Sequence, residues 1–226
     1  YNKDMQEDKV AVFDAAPPPA SRALAGGCAS TLAFEFSDGP SRIVVNCGGA
    51  GPGPAALPGG VVHGLRTSAA RFTLLLGDGN STAVHEDGTL GKGVAQVELS
   101  RTDAPGGVTV EASHDGYVRR LGLAHQRQLS LSGDGAELTG EDRLLPQGRR
   151  RRRDPVPYAV RFHLAPAVEV TTTADGQGAL LRIRGGSVSQ FRCRGGRLGT
   201  EESLWIDGDA RPHASLQLVV SGESPP

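Results

Sequence analysis

Aromatic residues are scarce in this chain, at 4% of 226 positions, so a core built mainly from Val, Leu, Ile and Ala is expected rather than one of many stacked rings. Lysine is nearly missing too. It stands only at positions 3, 9 and 92, and the other 21 cationic side chains are arginines. With a formal net charge of −1, neither nucleic acid nor an anionic membrane is an expected partner. No apolar run reaches the roughly 18 residues of a membrane-spanning helix. The start, Tyr1-Asn2-Lys3-Asp4-Met5, lacks the pattern of a secretory signal and does not begin with Met, so a fragment or processed piece is expected. Three cysteines, Cys28, Cys47 and Cys193, form no CxxC pair. Their odd number speaks against a disulfide framework, although a single pair such as Cys28–Cys47 fits the sequence.

Several catalytic signatures are also missing. There is no Walker phosphate loop, no GxGxxG after a strand, no HExxH and no GxSxG elbow. Gly-rich runs such as Gly48-Gly49-Ala50-Gly51 lack the Lys-Ser/Thr and the helix that would make them phosphate cradles.

What the chain does have is turn residues. Gly (32) and Pro (15) make up about twice their usual share and are spread as punctuation between short apolar runs. Period-2 alternation recurs between them. Strands are expected at 32–36, 42–47, 72–76, 94–99, 108–112, 118–123 and 128–131. Others are expected at 137–140, 158–164, 168–172, 180–183, 187–192, 202–206 and 215–220. Ser132-Gly133-Asp134-Gly135 reads as a tight hairpin and 48–60 as a long loop, while 21–24 offers one helical turn at most. The pattern predicts an all-β fold: a two-sheet antiparallel β-sandwich of many short strands, almost without helix, forming one domain over 1–226.

The densest polar cluster is Glu111-Ala112-Ser113-His114-Asp115-Gly116-Tyr117, followed by Arg119, Arg120, His125 and Arg127. Asp115-Gly116 has the form of a hairpin turn, with His114 and Tyr117 flanking it. Such a set suits chemistry on a uronic-acid sugar. Arginine would neutralise the C6 carboxylate, and Tyr or His would remove the C5 proton or protonate the departing O4. The plainer reading is a hairpin with hydrogen-bonded polar side chains at its mouth. Arg161 and His163 share one face of the 158–164 strand, where a satisfied structural histidine is the simpler role for His163. The five arginines 149–153, bounded by Asp154-Pro155, read as a solvated loop or a polyanion contact. Without interleaved aromatics they are a poor nucleic-acid site.

The stretch Glu111-Ala-Ser-His-Asp-Gly-Tyr-Val-Arg-Arg-Leu-Gly-Leu-Ala-His-Gln-Arg-Gln-Leu-Ser-Leu-Ser, followed by Gly140-Glu-Asp-Arg-Leu144, resembles the C-terminal domain of bacterial heparinase II/III-like proteins. So do Leu32-Ala-Phe-Glu-Phe, Ile43-Val-Val-Asn-Cys-Gly48, Pro157-Tyr-Ala-Val-Arg-Phe-His163 and Glu201-Glu-Ser-Leu204, in matching order over roughly 10–222. The resemblance implies a β-sandwich that follows an N-terminal α/α toroid, here absent. It also implies β-elimination on acidic polysaccharides such as glycosaminoglycans, in the periplasm or outside the cell. On that basis His114 and Tyr117 are the candidate catalytic residues, and Arg119, His125, Arg127, Arg161 and His163 the candidate substrate-binding residues. Members carry a histidine and a structural zinc site in the β domain. At the corresponding places this chain has Leu24, Asn46 and Arg71, so no metal is expected. The isolated chain is expected to be inactive. The alternative is a degenerate carbohydrate-binding or structural β module.

Overall fold

The computed structural model describes residues 9–19, 27–49, 57–147, 154–184 and 186–224. The expected turn at 21–24, Leu24 and the arginine run 149–153 lie outside them.

Among the described residues fourteen strands dominate, and all are paired antiparallel. The fold is all-β as expected, its layers divided into four hydrogen-bonded sheets. The first joins β1 (Lys9–Phe13), β2 (Phe34–Asp38) and β3 (Ser41–Val44) in that order. The second runs β13 (Arg197–Ile206), β14 (Pro212–Ser224), β9 (Val156–His163), β4 (Leu74–Leu76). The third is a meander of β5 (Val97–Ala104), β6 (Gly107–His114), β7 (Leu123–Ser132) and β8 (Leu138–Pro146). The fourth consists of β10 (Val168–Thr172), β11 (Gly178–Ile183) and β12 (Val188–Arg192).

Few aromatics suffice because they are placed in series. Phe34 on β2 meets Phe72 at 4.0 Å between ring centroids, Phe72 meets Phe162 on β9 at 4.0 Å, and Phe162 meets Phe191 on β12 at 4.8 Å. Four of the six phenylalanines thus stitch three sheets together, each tilted or edge-on contact adding about 0.5–1.5 kcal/mol beyond area burial. Aliphatic residues such as Ile43, Leu76, Leu164 and Leu218, all nearly inaccessible, fill the space around them.

Two segments differ from the sequence expectation. Residues 118–123 were expected to extend, yet Val118–Leu121 forms a single helical turn, α2. Gly122 ends it in the left-handed region (φ 68), as a C-terminal glycine can without a Cβ clash, and β7 begins at the next residue. Consequently Asp115-Gly116 does not make a two-residue hairpin. Instead Asp115 Oδ1 accepts the N–H groups of Ala95 (2.8 Å) and Gln96 (3.1 Å), pinning the approach to β5. Part of the expected long loop is a short helix, α1, at Gly59–Gly64. The hairpin at 132–135 does form, with Gly135 at φ 68 and Leu131 opposite Leu138.

Candidate functional site

Antiparallel register brings three of the expected residues to one place. On the meander His114 stands opposite His125, and Arg127 stands opposite Asp142 on β8. These pairs are neighbours on the inner face because residues two apart along a strand share a face.

Arg127 is 1% exposed. Its Nε and Nη2 donate to the two carboxylate oxygens of Asp142, each at 2.8 Å. Its Nη1 donates to the carbonyls of Leu32 and Phe72, each at 2.7 Å. The guanidinium lies 4.9 Å from the Phe72 ring centre. A buried charge is tolerable only with such complete pairing.

The histidines continue the network, and their partners fix the tautomers. Gly116 N–H donates to His114 Nδ1 at 3.1 Å, so the His114 proton sits on Nε2. That Nε2 donates to His125 Nδ1 at 3.3 Å, leaving His125 Nε2–H to donate to Asp142 Oδ1 at 2.6 Å. All hydrogen bonds run one way, toward the carboxylate, with both rings neutral. Burial depresses the pKa of His114, aided by His125 and Arg127. Burial also lowers His125, against the opposing pull of Asp142. For Asp142 burial works to raise the pKa, but the Arg127 charge and the His125 hydrogen bond hold it well below the usual carboxylate range.

Tyr117 joins the cluster from the other side, its ring 5.5 Å from that of His114. It is fully buried, and its hydroxyl donates to the Leu74 carbonyl at 2.6 Å. Burial pushes the phenol well above its ordinary pKa. Next to it Arg120 Nη2 donates to the Leu76 carbonyl at 2.7 Å. Arg127, Tyr117 and Arg120 therefore satisfy the carbonyls of residues 72, 74 and 76, every second one along β4 and its approach. β4 is an edge strand of its sheet. The three side chains take the place of a neighbouring strand on that edge.

The other predicted residues stand apart from this cluster. Arg119 is exposed on α2. Arg161 on β9 pairs with Glu201 at 2.6 Å. His163, 4% exposed, donates Nε2–H to the Ala69 carbonyl at 2.8 Å. Its Nδ1 faces Ser203 Oγ at 2.8 Å and Cys47 Sγ at 3.3 Å. Burial lowers His163 to about 4 and raises the Cys47 thiol to about 11, so the pair stays imidazole and thiol at neutral pH. No disulfide joins the described cysteines.

Sequence reasoning did not single out Asp142, Ser203 or Cys47 as members of these clusters. Asp142 was within reach: counting four residues outward from the Leu131–Leu138 pair sets Arg127 against it. Ser203 has no such signal, because its strand pairs with β9 only through β14.

Two of the three places that correspond to the family's histidines and zinc ligand lie within the described residues, Asn46 and Arg71. Asn46 commits its amide to the fold, Oδ1 accepting Phe72 N–H at 2.8 Å and Nδ2 donating to Glu35 at 3.0 Å. Arg71 puts a guanidinium there, bonded to the Leu65 carbonyl and to Cys28 Sγ, each at 3.0 Å. A guanidinium cation does not ligate a metal cation.

Comparison with known proteins places this geometry. The family model described as heparinase II/III-like, C-terminal, matches residues 3–225. FtsZ-localized protein C of Caulobacter vibrioides is 34% identical over 197 residues, covering 80% of this chain and 32% of that protein. Heparan sulfate lyase HepC of Pedobacter heparinus superimposes with a TM-score of 0.73 at 14% identity, covering 95% of this chain and 30% of the lyase. A heparinase III structure gives 0.72 at 12% identity, over 96% of this chain and 31% of its own. The chain thus spans about a third of the length of each relative. At such identities the structural matches establish the fold alone.

Proposed function

The chain belongs to the heparinase II/III-like, C-terminal family, and on that premise we propose that it is the accessory β module of a polysaccharide lyase that cleaves acidic glycans by β-elimination. The observation that carries the reading is coverage: the family match takes in almost the whole chain, while the lyases it superimposes on are about three times longer. A helical domain of the parent protein would supply the chemistry, and the module would line the cleft. A periplasmic or extracellular place goes with this reading.

Within the module His114, Tyr117, His125 and Arg127 act by positioning. They hold the Leu32 turn and the edge of β4 where a glycan chain would pass. Direct proton transfer by Tyr117 would first require its hydroxyl to leave the Leu74 carbonyl and its phenol to lose the burial that keeps it protonated. Arg119 and Arg161, nearer the surface, are the candidates for direct contact with a polyanion.

Ultraviolet absorbance of unsaturated uronate products on heparan sulfate and alginate tests the proposal. Product is expected from the full-length parent protein and none from the 226 residues alone. Release of product by the isolated chain would overturn the accessory role.

A second reading rests on the higher identity, 34%, to a protein named for its localisation with FtsZ. Here the module would serve a division-associated protein. A fluorescent fusion of the full-length protein concentrating at midcell only while FtsZ is assembled would favour it.

A further inference from the structure

A cavity of about 460 Å³ opens beside the first sheet. Its lining includes Asp14, Pro17, Pro19, Cys28, Ser30 and Arg71. Its size is in the range of ligand pockets.

Two arginines near it each leave one guanidinium nitrogen without a partner. Arg71 lines the cavity, and its Nε is buried without a hydrogen-bond partner. Arg66, 7% exposed, sits just behind: its Nε donates to the carbonyl of Gly27, itself a lining residue, at 2.7 Å, while its Nη2 is buried without a partner. Among the described residues neither arginine forms an ion pair with a carboxylate. Arg71 lines the cavity without a carboxylate partner, so an oxyanion there would pair its charge.

Opposite in character is the other end. Asp14 Oδ2 accepts Ser30 Oγ at 2.7 Å, and Oδ1 accepts only a long 3.3 Å contact from Ala16 N–H. A bare inorganic anion would meet this carboxylate as a like charge. A ligand with an acid group at one end and hydroxyl donors at the other would satisfy both ends, and the rings of Pro17 and Pro19 offer an apolar wall for its C–H face.

We propose that this cavity is a subsite for one saccharide-acid unit, with its carboxylate on Arg71 and its hydroxyls on Asp14 and Ser30. The choice of a sugar rests on the polysaccharide reading above; the anion site itself rests on the geometry.

Titration of the 226-residue chain with glucuronate, glucose and inorganic sulfate, followed by amide NMR, tests it. Glucuronate is expected to shift Gly27, Cys28, Ser30 and Arg71 and to bind about tenfold or more tightly than glucose. Arg71→Gln should abolish that preference, and Asp14→Asn should weaken glucuronate without affecting the fold. Equal shifts with glucose, shifts confined to other residues, or sulfate binding as tight as glucuronate would each overturn the proposal. Because no turnover is needed, the titration and the lyase assay fail independently.

Discussion

At the scale of single residues, Arg127 shows how one buried charge is made tolerable. Four hydrogen bonds and two aromatic faces compensate it. Replacing it with Met strands the Asp142 carboxylate and two buried carbonyls, so Arg127→Met is expected to cost about 3–5 kcal/mol, read from the urea midpoint. Arg127→Lys keeps the charge but loses the fork, and is expected to fall between the two. The buried histidines give a second prediction. His114, His125 and His163 all have folded-state pKa values below their unfolded value of about 6.5. Below that pH the unfolded chain therefore binds more protons, and stability falls as pH falls. The loss begins near pH 6.5, at up to about 1.4 kcal/mol per pH unit for each histidine, and for His163 it continues to about 4. Asp142, held below the usual carboxylate range, contributes stability that is present above about pH 4 and is lost in stronger acid. Urea titrations from pH 7.5 down to 4 should show this slope, and His163→Gln should remove one histidine's share.

Elements were legible wherever alternation was local. Residues 168–172 form a strand with the expected ends, and the 132–135 hairpin sets the register that places Arg127 opposite Asp142. Two kinds of element were not. β1, Lys9–Phe13, is short and half-buried, and it becomes a strand only by pairing with β2. The 118–123 stretch has strand-forming residues, but anchoring Tyr117 inside the core and turning back at Gly122 leave room only for a helical turn. Tertiary packing overrides propensity there. The glycine carries a testable cost. Gly122→Ala forces a Cβ into the left-handed region and is expected to destabilise by about 1 kcal/mol, whereas the same change at Gly199, where a new Cβ would meet nothing within 4 Å, lacks the positive φ. Comparing the two urea midpoints separates the turn's demand from the general effect of losing a glycine.

For the whole molecule the question is what joins four sheets that share almost no backbone ladder. Between the strands of the first and second sheets, among the described residues, the backbone supplies one isolated bridge, Val44 with Leu164, made by the Val45 N–H to His163 carbonyl and Ala165 N–H to Ile43 carbonyl hydrogen bonds. The meander reaches the second sheet largely through side chains. Arg127, Tyr117 and Arg120 hold the carbonyls of Phe72, Leu74 and Leu76, and Phe72 in turn begins the aromatic chain toward β9 and β12. The polar cluster reads both ways in sequence, because residues fit for acid–base work are also those that can cap an edge strand from a distance. The two roles make different predictions. If Tyr117 is an edge cap, Tyr117→Phe leaves the Leu74 carbonyl buried without a donor and costs about 1–3 kcal/mol. Arg120→Ala should cost less, since Arg120 is exposed and water can reach its partner more readily. Phe72→Ala, removing the ring that two sheets share, should cost about 3–5 kcal/mol. If Tyr117 is also a proton donor or acceptor in the full-length protein, Tyr117→Phe should abolish turnover under conditions where the variant is still folded, beyond what its lower urea midpoint explains. Measuring stability and product release on that one variant decides between them, because removing the hydroxyl leaves the ring's packing in place.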